Sequence, residues 1–129
     1  MNTRTKKILL IDDERELKNL ISSILGEWDI QVYASSSARE ALENIDTESP
    51  DLIIMDTRLP DINGYDLCKR LRTKAYTRKI PVVMIAIKDS VREKVKGLES
   101  GADDYITRPF ACGEFTARIR AVLRSYQTV

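Results

Sequence analysis

The sequence predicts an α/β fold in which one parallel sheet is covered by helices on both faces, and three observations carry that expectation. Five short apolar runs punctuate the chain, the clearest being Ile8 to Ile11, Asp51 to Asp56 and Val82 to Ile87. Segments with apolar residues at helical spacing separate them. The runs are apolar throughout rather than alternating, which is the pattern of strands buried on both faces.

Taken in order, Ile8 to Ile11 opens the sheet and a helix follows with Leu17, Leu20, Ile21, Ile24 and Leu25 on one face and Gly26 near its end. A weaker strand is expected around Ile30 to Ala34. Ser36 or Ser37 can cap a second helix, whose buried side is Ala38, Ala41, Leu42 and Ile45. Pro50 leads into the strand Asp51 to Asp56, which ends in a carboxylate. Asn63-Gly64 marks a turn before a helix carrying Tyr65, Cys68 and Leu71. Pro81 opens the most apolar strand, Val82 to Ile87. Ser90 starts a helix with Val91, Val95 and Leu98, closed by Gly101 as a left-handed cap. Tyr105-Ile106 is a short last strand, and the final helix buries Phe115, Ile119, Val122 and Leu123.

A length of 129 residues suits one domain, expected over 1–129 with its core at about 7–124. Hydrophobic residues make up 43%, enough for a real core, and the charges nearly cancel to +1. That balance argues against a nucleic-acid-binding face and gives no attraction to a membrane. The apolar run of the N-terminal MNTRTKKILLI is too short for a signal peptide or a membrane span. Cys68 and Cys112 lack metal-ligand spacing, so free thiols in a cytoplasmic protein are expected. The absence of histidine excludes Ser-His-Asp triads, Cys-His dyads and His-ligated zinc, and leaves any histidine chemistry to a partner.

In open parallel sheets, ligands sit beyond the carboxyl ends of the strands. There the first strand delivers Asp12-Asp13-Glu14 and the third delivers Asp56. An isolated aspartate at a strand end is usually just solvated. An aspartate pair facing a third across neighbouring strands would repel unless a cation sat among them, and carboxylates with room for water suit Mg²⁺. Arg108 follows the last strand, where it could pair with Asp56 or with an anion bound to it. A carboxylate can itself be the nucleophile of phosphoryl transfer, with metal and cation offsetting the charge that grows on the transferring oxygens. No glycine-rich phosphate loop follows the first strand, and there is no GxSxG elbow.

With these residues in view, the chain resembles the receiver domains of two-component signalling. The likeness runs from about Ile8 to Arg124 through ILLIDDE, PDLIIMDTRLPDINGYDLC, PVVMIAIKD and GLESGADDYITRPF. It implies a flavodoxin-like (βα)5 sandwich with strand order 2-1-3-4-5. It implies that Asp56 accepts a phosphoryl group from the phosphohistidine of a sensor histidine kinase or phosphotransfer protein, and regulates an output domain or partner. It places Mg²⁺ on Asp12, Asp13, Asp56 and the backbone carbonyl of Arg58, and makes Tyr105 the aromatic that turns inward on activation. In many members the bond matching Arg108-Pro109 is cis.

Three positions depart from the family pattern. Ala86 stands where a Ser or Thr hydroxyl is usual, Ile87 where a small residue is usual, and Arg108 in place of lysine, which is not a conservative exchange. Phosphorylation of Asp56 with weakened coupling to Tyr105 is therefore expected. The last third resembles receivers that dimerise through the fourth helix, fifth strand and fifth helix, and the matching ion pairs would be Lys94 with Glu114, Asp103 with Arg120 and Asp104 with Arg118.

Two other readings remain beside this one. A phosphorylation-independent receiver-like interaction module is favoured by Ala86 and Ile87 and opposed by Asp12, Asp13 and Asp56. A dehalogenase-like phosphatase would need a second acid two residues after its nucleophile, where this chain has Arg58. A regulatory piece of a longer protein is compatible with either binding reading.

Overall fold

A computed structural model of the chain describes residues 5–25, 29–87 and 90–125. Five strands alternate with five helices: β1 (Lys6–Ile11), α1 (Arg15–Leu25), β2 (Ile30–Ser35), α2 (Ala38–Glu48), β3 (Leu52–Asp56), α3 (Gly64–Thr73), β4 (Val82–Ala86), α4 (Val91–Glu99), β5 (Asp104–Thr107) and α5 (Cys112–Ser125). The strands form one parallel sheet in the order β2-β1-β3-β4-β5, as the resemblance implied. Asp51 and Ile87 fall just outside the strands they were expected to begin and end, and Gly26 lies outside the described residues. Among the described residues, no helix is long and apolar enough to cross a membrane.

The unbroken apolar runs have a simple cause. Successive side chains of a strand point to opposite faces, so a strand buried on both sides needs an apolar residue at every position. Leu9 and Ile11 of β1 join Ile53, Met55, Val82 and Met84 against α2 and α3. Ile8 and Leu10 join Leu52, Ile54, Val83, Ile85 and Ile106 against α1 and α5. Phe115, at the centre of the second layer, stacks on Phe110 at 4.7 Å between ring centroids.

Helix ends follow their sequence signals. Ser37, not Ser36, caps α2, its hydroxyl accepting from the Glu40 N–H at 3.1 Å. Asn63 and Ser90 do the same for α3 and α4. Helix α4 ends in a Schellman motif, with Gly101 at φ 112° and the Ala102 N–H reaching the Gly97 carbonyl at 3.3 Å. A cap that sequence did not suggest comes from a distant loop: Asp61 accepts from the N–H groups of Ala38 and Arg39 at 3.0 and 2.9 Å, closing the start of α2.

The helices are not equally buried. Leu20 is exposed, although helical spacing grouped it with Leu17 and Ile21. On α4 only Gly97 is buried, and Val91, Val95 and Leu98 are exposed. Their helical spacing aligns these three as an apolar stripe on α4, and Ile87, just after β4, is exposed as well.

Candidate functional site

The site is built by register. β1 pairs with β3 through Ile11 and Met55, so the residues that follow, Asp12 and Asp56, emerge side by side at the carboxyl edge of the sheet. Both are largely buried, whereas Asp13 is exposed. Asp12 accepts the Glu14 N–H on Oδ1 at 2.7 Å, while its Oδ2 is buried with no hydrogen-bond partner. Burial is the main reason the Asp12 carboxyl is pushed up to about 7; the Glu14 N–H opposes this, and the neighbouring Asp56 and then the Glu14 charge add to it.

Asp56 is held at both oxygens. Oδ1 accepts the Arg58 N–H at 2.8 Å, and Oδ2 accepts from Arg108 Nη2 at 3.0 Å. Arg108 reaches in from the end of β5, with its backbone N–H on the Ala86 carbonyl at 2.7 Å. Its Nη1 lies 3.0 Å from Glu14 Oε2, and its Nε is buried without a partner. The guanidinium thus bridges the loop that follows β1 and the carboxyl end of β3. The Arg108-Pro109 peptide is cis.

The loop after β3 is shaped by close backbone packing. The Gly64 N–H donates to the Thr57 carbonyl at 2.9 Å, and Arg58 forms an antiparallel bridge with Asn63. A Cβ on Gly64 would collide with the Asp56 carbonyl oxygen, so glycine is required here by contact rather than by φ. Beside Asp56 opens a cavity of about 200 Å³, walled by Thr57, Arg58, Tyr65, Ile87, Lys96 and Tyr105 among others. Tyr105 is buried against Gly97, where an added Cβ would come within 2.7 Å of its ring. Ala86 is buried and offers no side-chain donor, and Ile87 stands exposed at the cavity rim.

Sequence reading missed the neighbours of this cavity on α3 and α4. The Tyr65 hydroxyl donates to Glu93 Oε1 at 2.8 Å, and Lys96 Nζ lies 4.6 Å from the centre of the Tyr65 ring. Burial first, then Glu93, raises the Tyr65 phenol above its ordinary range. The spacing of Glu93 and Lys96, one helical turn apart, was the available signal for a shared face.

The expected interface charges are engaged within the single chain. Arg118 donates to both Asp104 oxygens, at 2.9 and 3.0 Å, and to Glu114 one turn earlier. Asp103 pairs with Arg72 at 3.1 Å and accepts the Val82 N–H. Lys94 and Arg120 are exposed on α4 and α5.

The residues present fit a hard divalent cation. Among the described residues, no three acidic, Cys or His side chains close into a cage, and Asp13 is exposed. Mg²⁺ does not need such a cage, since it usually keeps several waters and takes one or two carboxylates. The orphaned Asp12 Oδ2, buried beside Asp56, is the kind of oxygen it would satisfy.

A parallel sheet with this carboxyl-edge constellation is shared with a known family, and the chain belongs to the response regulator receiver domains, whose family model matches residues 8–120. These are phosphoacceptor modules of two-component signalling that interact with histidine kinases, rather than enzymes in the ordinary sense. The chain is 43% identical over 119 residues to the alkaline phosphatase synthesis transcriptional regulatory protein PhoP of Bacillus subtilis (strain 168), covering 92% of this chain and 49% of that protein. It is 41% identical over 121 residues to the regulatory protein VanR of Enterococcus faecium, covering 94% and 51%. The chain therefore spans about half the length of these curated relatives. Among solved structures it resembles the BeF3-activated N-terminal receiver domain of Klebsiella pneumoniae RstA, with TM-score 0.83 and 34% identity over 92% of this chain and 99% of that one. A two-component response regulator from Clostridium difficile superposes with TM-score 0.87 at 28% identity, covering 95% and 99%.

Proposed function

We propose that Asp56 is the phosphoacceptor of this receiver domain. The observation that carries the reading is the placement of Asp56 at the end of the central strand β3, beside the unpartnered oxygen of Asp12 and 3.0 Å from the Arg108 guanidinium. One Asp56 oxygen forms a bond to phosphorus as the P–N bond of a partner's phosphohistidine breaks. The leaving imidazole keeps the electron pair and takes up a proton. Asp12, Asp13, Asp56 and the Arg58 carbonyl would hold Mg²⁺, which supplies charge neutralisation to the transferring oxygens. Arg108 contributes a fixed positive charge at the same place. The donor is a sensor histidine kinase or phosphotransfer protein in the cytoplasm. The only chemistry assigned to the chain is its own phosphorylation and the hydrolysis that reverses it.

Output passes through the α4-β5-α5 side to an attached output domain, a partner or a second copy. Val91, Val95 and Leu98 offer exposed apolar side chains there, and Lys94, Glu114 and Arg118 line one cleft on the same side. For a homodimer, Arg118 would exchange Asp104 of its own chain for Asp104 of the partner subunit, a swap that leaves the number of ion pairs unchanged. Sedimentation with beryllium fluoride and Mg²⁺ is expected to show a dimer that Val95→Asp abolishes; a monomer under all conditions removes this face as a self-association site.

The second reading, a module that signals by binding alone, is favoured by Ala86 and by the Arg108 pair already closed on Asp56. Incubation with Mg²⁺ and acetyl phosphate separates the two. The phosphoacceptor reading expects an adduct of about 80 Da, one phosphoryl group, on the wild type and none on Asp56→Asn. No adduct, with an active receiver labelled in parallel, would establish the binding module instead.

A further inference from the structure

We propose that Arg108 is a two-point anchor for a phosphoryl group carried by Asp56, supplying through its guanidinium the donor that β4 lacks. The inference rests on the reading of Asp56 as acceptor and assigns how the product is held.

A phosphoryl group on Asp56 would bring three acceptor oxygens and nearly two negative charges to a spot where β4 ends in Ala86, without a polar side-chain atom. What stands there instead is Arg108. Its backbone N–H is bonded to the Ala86 carbonyl at 2.7 Å, so its side chain starts against the very residue that has no donor. From that root Nη2 reaches Asp56 Oδ2 at 3.0 Å and Nη1 reaches Glu14 Oε2 at 3.0 Å. The remaining group, Nε–H, is buried and has no partner. Native structures rarely leave a buried donor unsatisfied, and this one, on the guanidinium that already holds Asp56, is free to take an incoming oxygen.

Guanidinium geometry makes the match specific. Nε–H and one Nη–H lie in a plane as a fork, spaced for two oxygens of one phosphoryl or carboxylate group, whereas a lysine ammonium acts as a single point charge. Glu14 acts as a positioning residue: by holding Nη1 at the rim it fixes the plane of the fork over Asp56. In the unphosphorylated chain the fork spends one arm on Asp56 itself and leaves the other waiting. A phosphoryl group would take both.

The test is a cycle of two substitutions read by calorimetric binding of beryllium fluoride in Mg²⁺ to the whole chain. The proteins are the wild type, Arg108→Lys, Ala86→Thr and the double variant, with thermal unfolding as the fold control. Arg108→Lys is expected to weaken binding by about tenfold or more, as loss of a bidentate charged contact does. Added to the Arg108→Lys protein, Ala86→Thr should recover most of that loss. Added to the wild type, it should change binding by less than about threefold, because the donor would then be redundant. Equal effects of Ala86→Thr in both backgrounds, or Arg108→Lys binding as tightly as wild type, would overturn the anchor and leave the acceptor intact. No binding and no acetyl phosphate adduct in any folded variant would overturn the acceptor reading and the anchor with it.

Discussion

Replacing Gly64 by alanine tests whether backbone packing beneath Asp56 sets the geometry of the site. Gly64 is the first residue of α3, and the backbone of Asp56 and Thr57 runs directly against its Cα. An alanine Cβ would collide with the Asp56 carbonyl oxygen and lie 3.0 Å from Thr57 Cα. Ordinary carbon contacts are at about 3.5–4.0 Å, so the two segments must separate by roughly 0.5–1 Å. Neither obstacle is a flexible side chain that can swing away. Overpacking of this kind costs about 1–3 kcal/mol. Separation also stretches the 2.9 Å hydrogen bond from Gly64 N–H to the Thr57 carbonyl, a contribution of about 1 kcal/mol. Alanine returns up to about 1 kcal/mol through its better helix propensity. The net expectation is a loss of about 1–4 kcal/mol, or a Tm lower by roughly 3–20 °C for a domain of this size. Urea denaturation at pH 7 measures the first quantity. The rate of acetyl phosphate labelling measures the second effect, because the same displacement moves Asp56 and Arg58 away from Asp12 and Arg108. A Gly64→Ala protein within about 0.5 kcal/mol of wild type, labelled at the wild-type rate, would refute the argument that this close approach organises the site.

Arg72 tests stability far from the chemistry. It donates to the carbonyls of Gly101 at 2.9 and 2.7 Å, Arg78 at 3.0 Å and Ile80 at 2.6 Å, besides pairing with Asp103, so it ties α3 to the loops before β4 and β5. Arg72→Ala is expected to cost about 2–4 kcal/mol in urea denaturation by stranding these acceptors, while the labelling rate of the folded protein stays unchanged. Asp61 tests the cap on α2. The N–H groups of Ala38 and Arg39 hold its carboxyl below the ordinary aspartate range of 3.8. A depressed folded-state pKa contributes stability above the unfolded value and loses it as pH falls through the folded one. Asp61→Ala should therefore lower the urea midpoint at pH 7, with the gap to wild type closing below pH 3.8; a gap independent of pH would remove the carboxylate from the cap.

Much of this protein was legible in its sequence because burial on two faces writes itself into composition. The strands from Ile8, Leu52 and Val82 must be apolar up to their carboxyl ends, and the caps at Ser90 and Gly101 use residues whose side chain or φ value admits few alternatives, whereas Asn63, readable as a turn, proves to be the cap of α3. Asp12 and Asp56 were recognisable as strand-end acids, and Arg108 as a cation beyond the last strand, since each sits at a fixed offset from an apolar run. Other features were decided only by tertiary structure. Helical spacing placed Leu20 with Leu17, and Val91 with Val95, yet burial depends on whether another layer lies over that stripe, and none among the described residues covers these. Asp12 and Asp13 are adjacent acids with equal claims in the sequence. The sheet register turns one into the interior beside Asp56 and the other out to water. Likewise, nothing local to Arg108 names Glu14, nothing local to Asp61 names the start of α2, and nothing local to Gly101 names Arg72. Those contacts join residues 20 or more positions apart, and only the packing of whole elements brings them within hydrogen-bonding range.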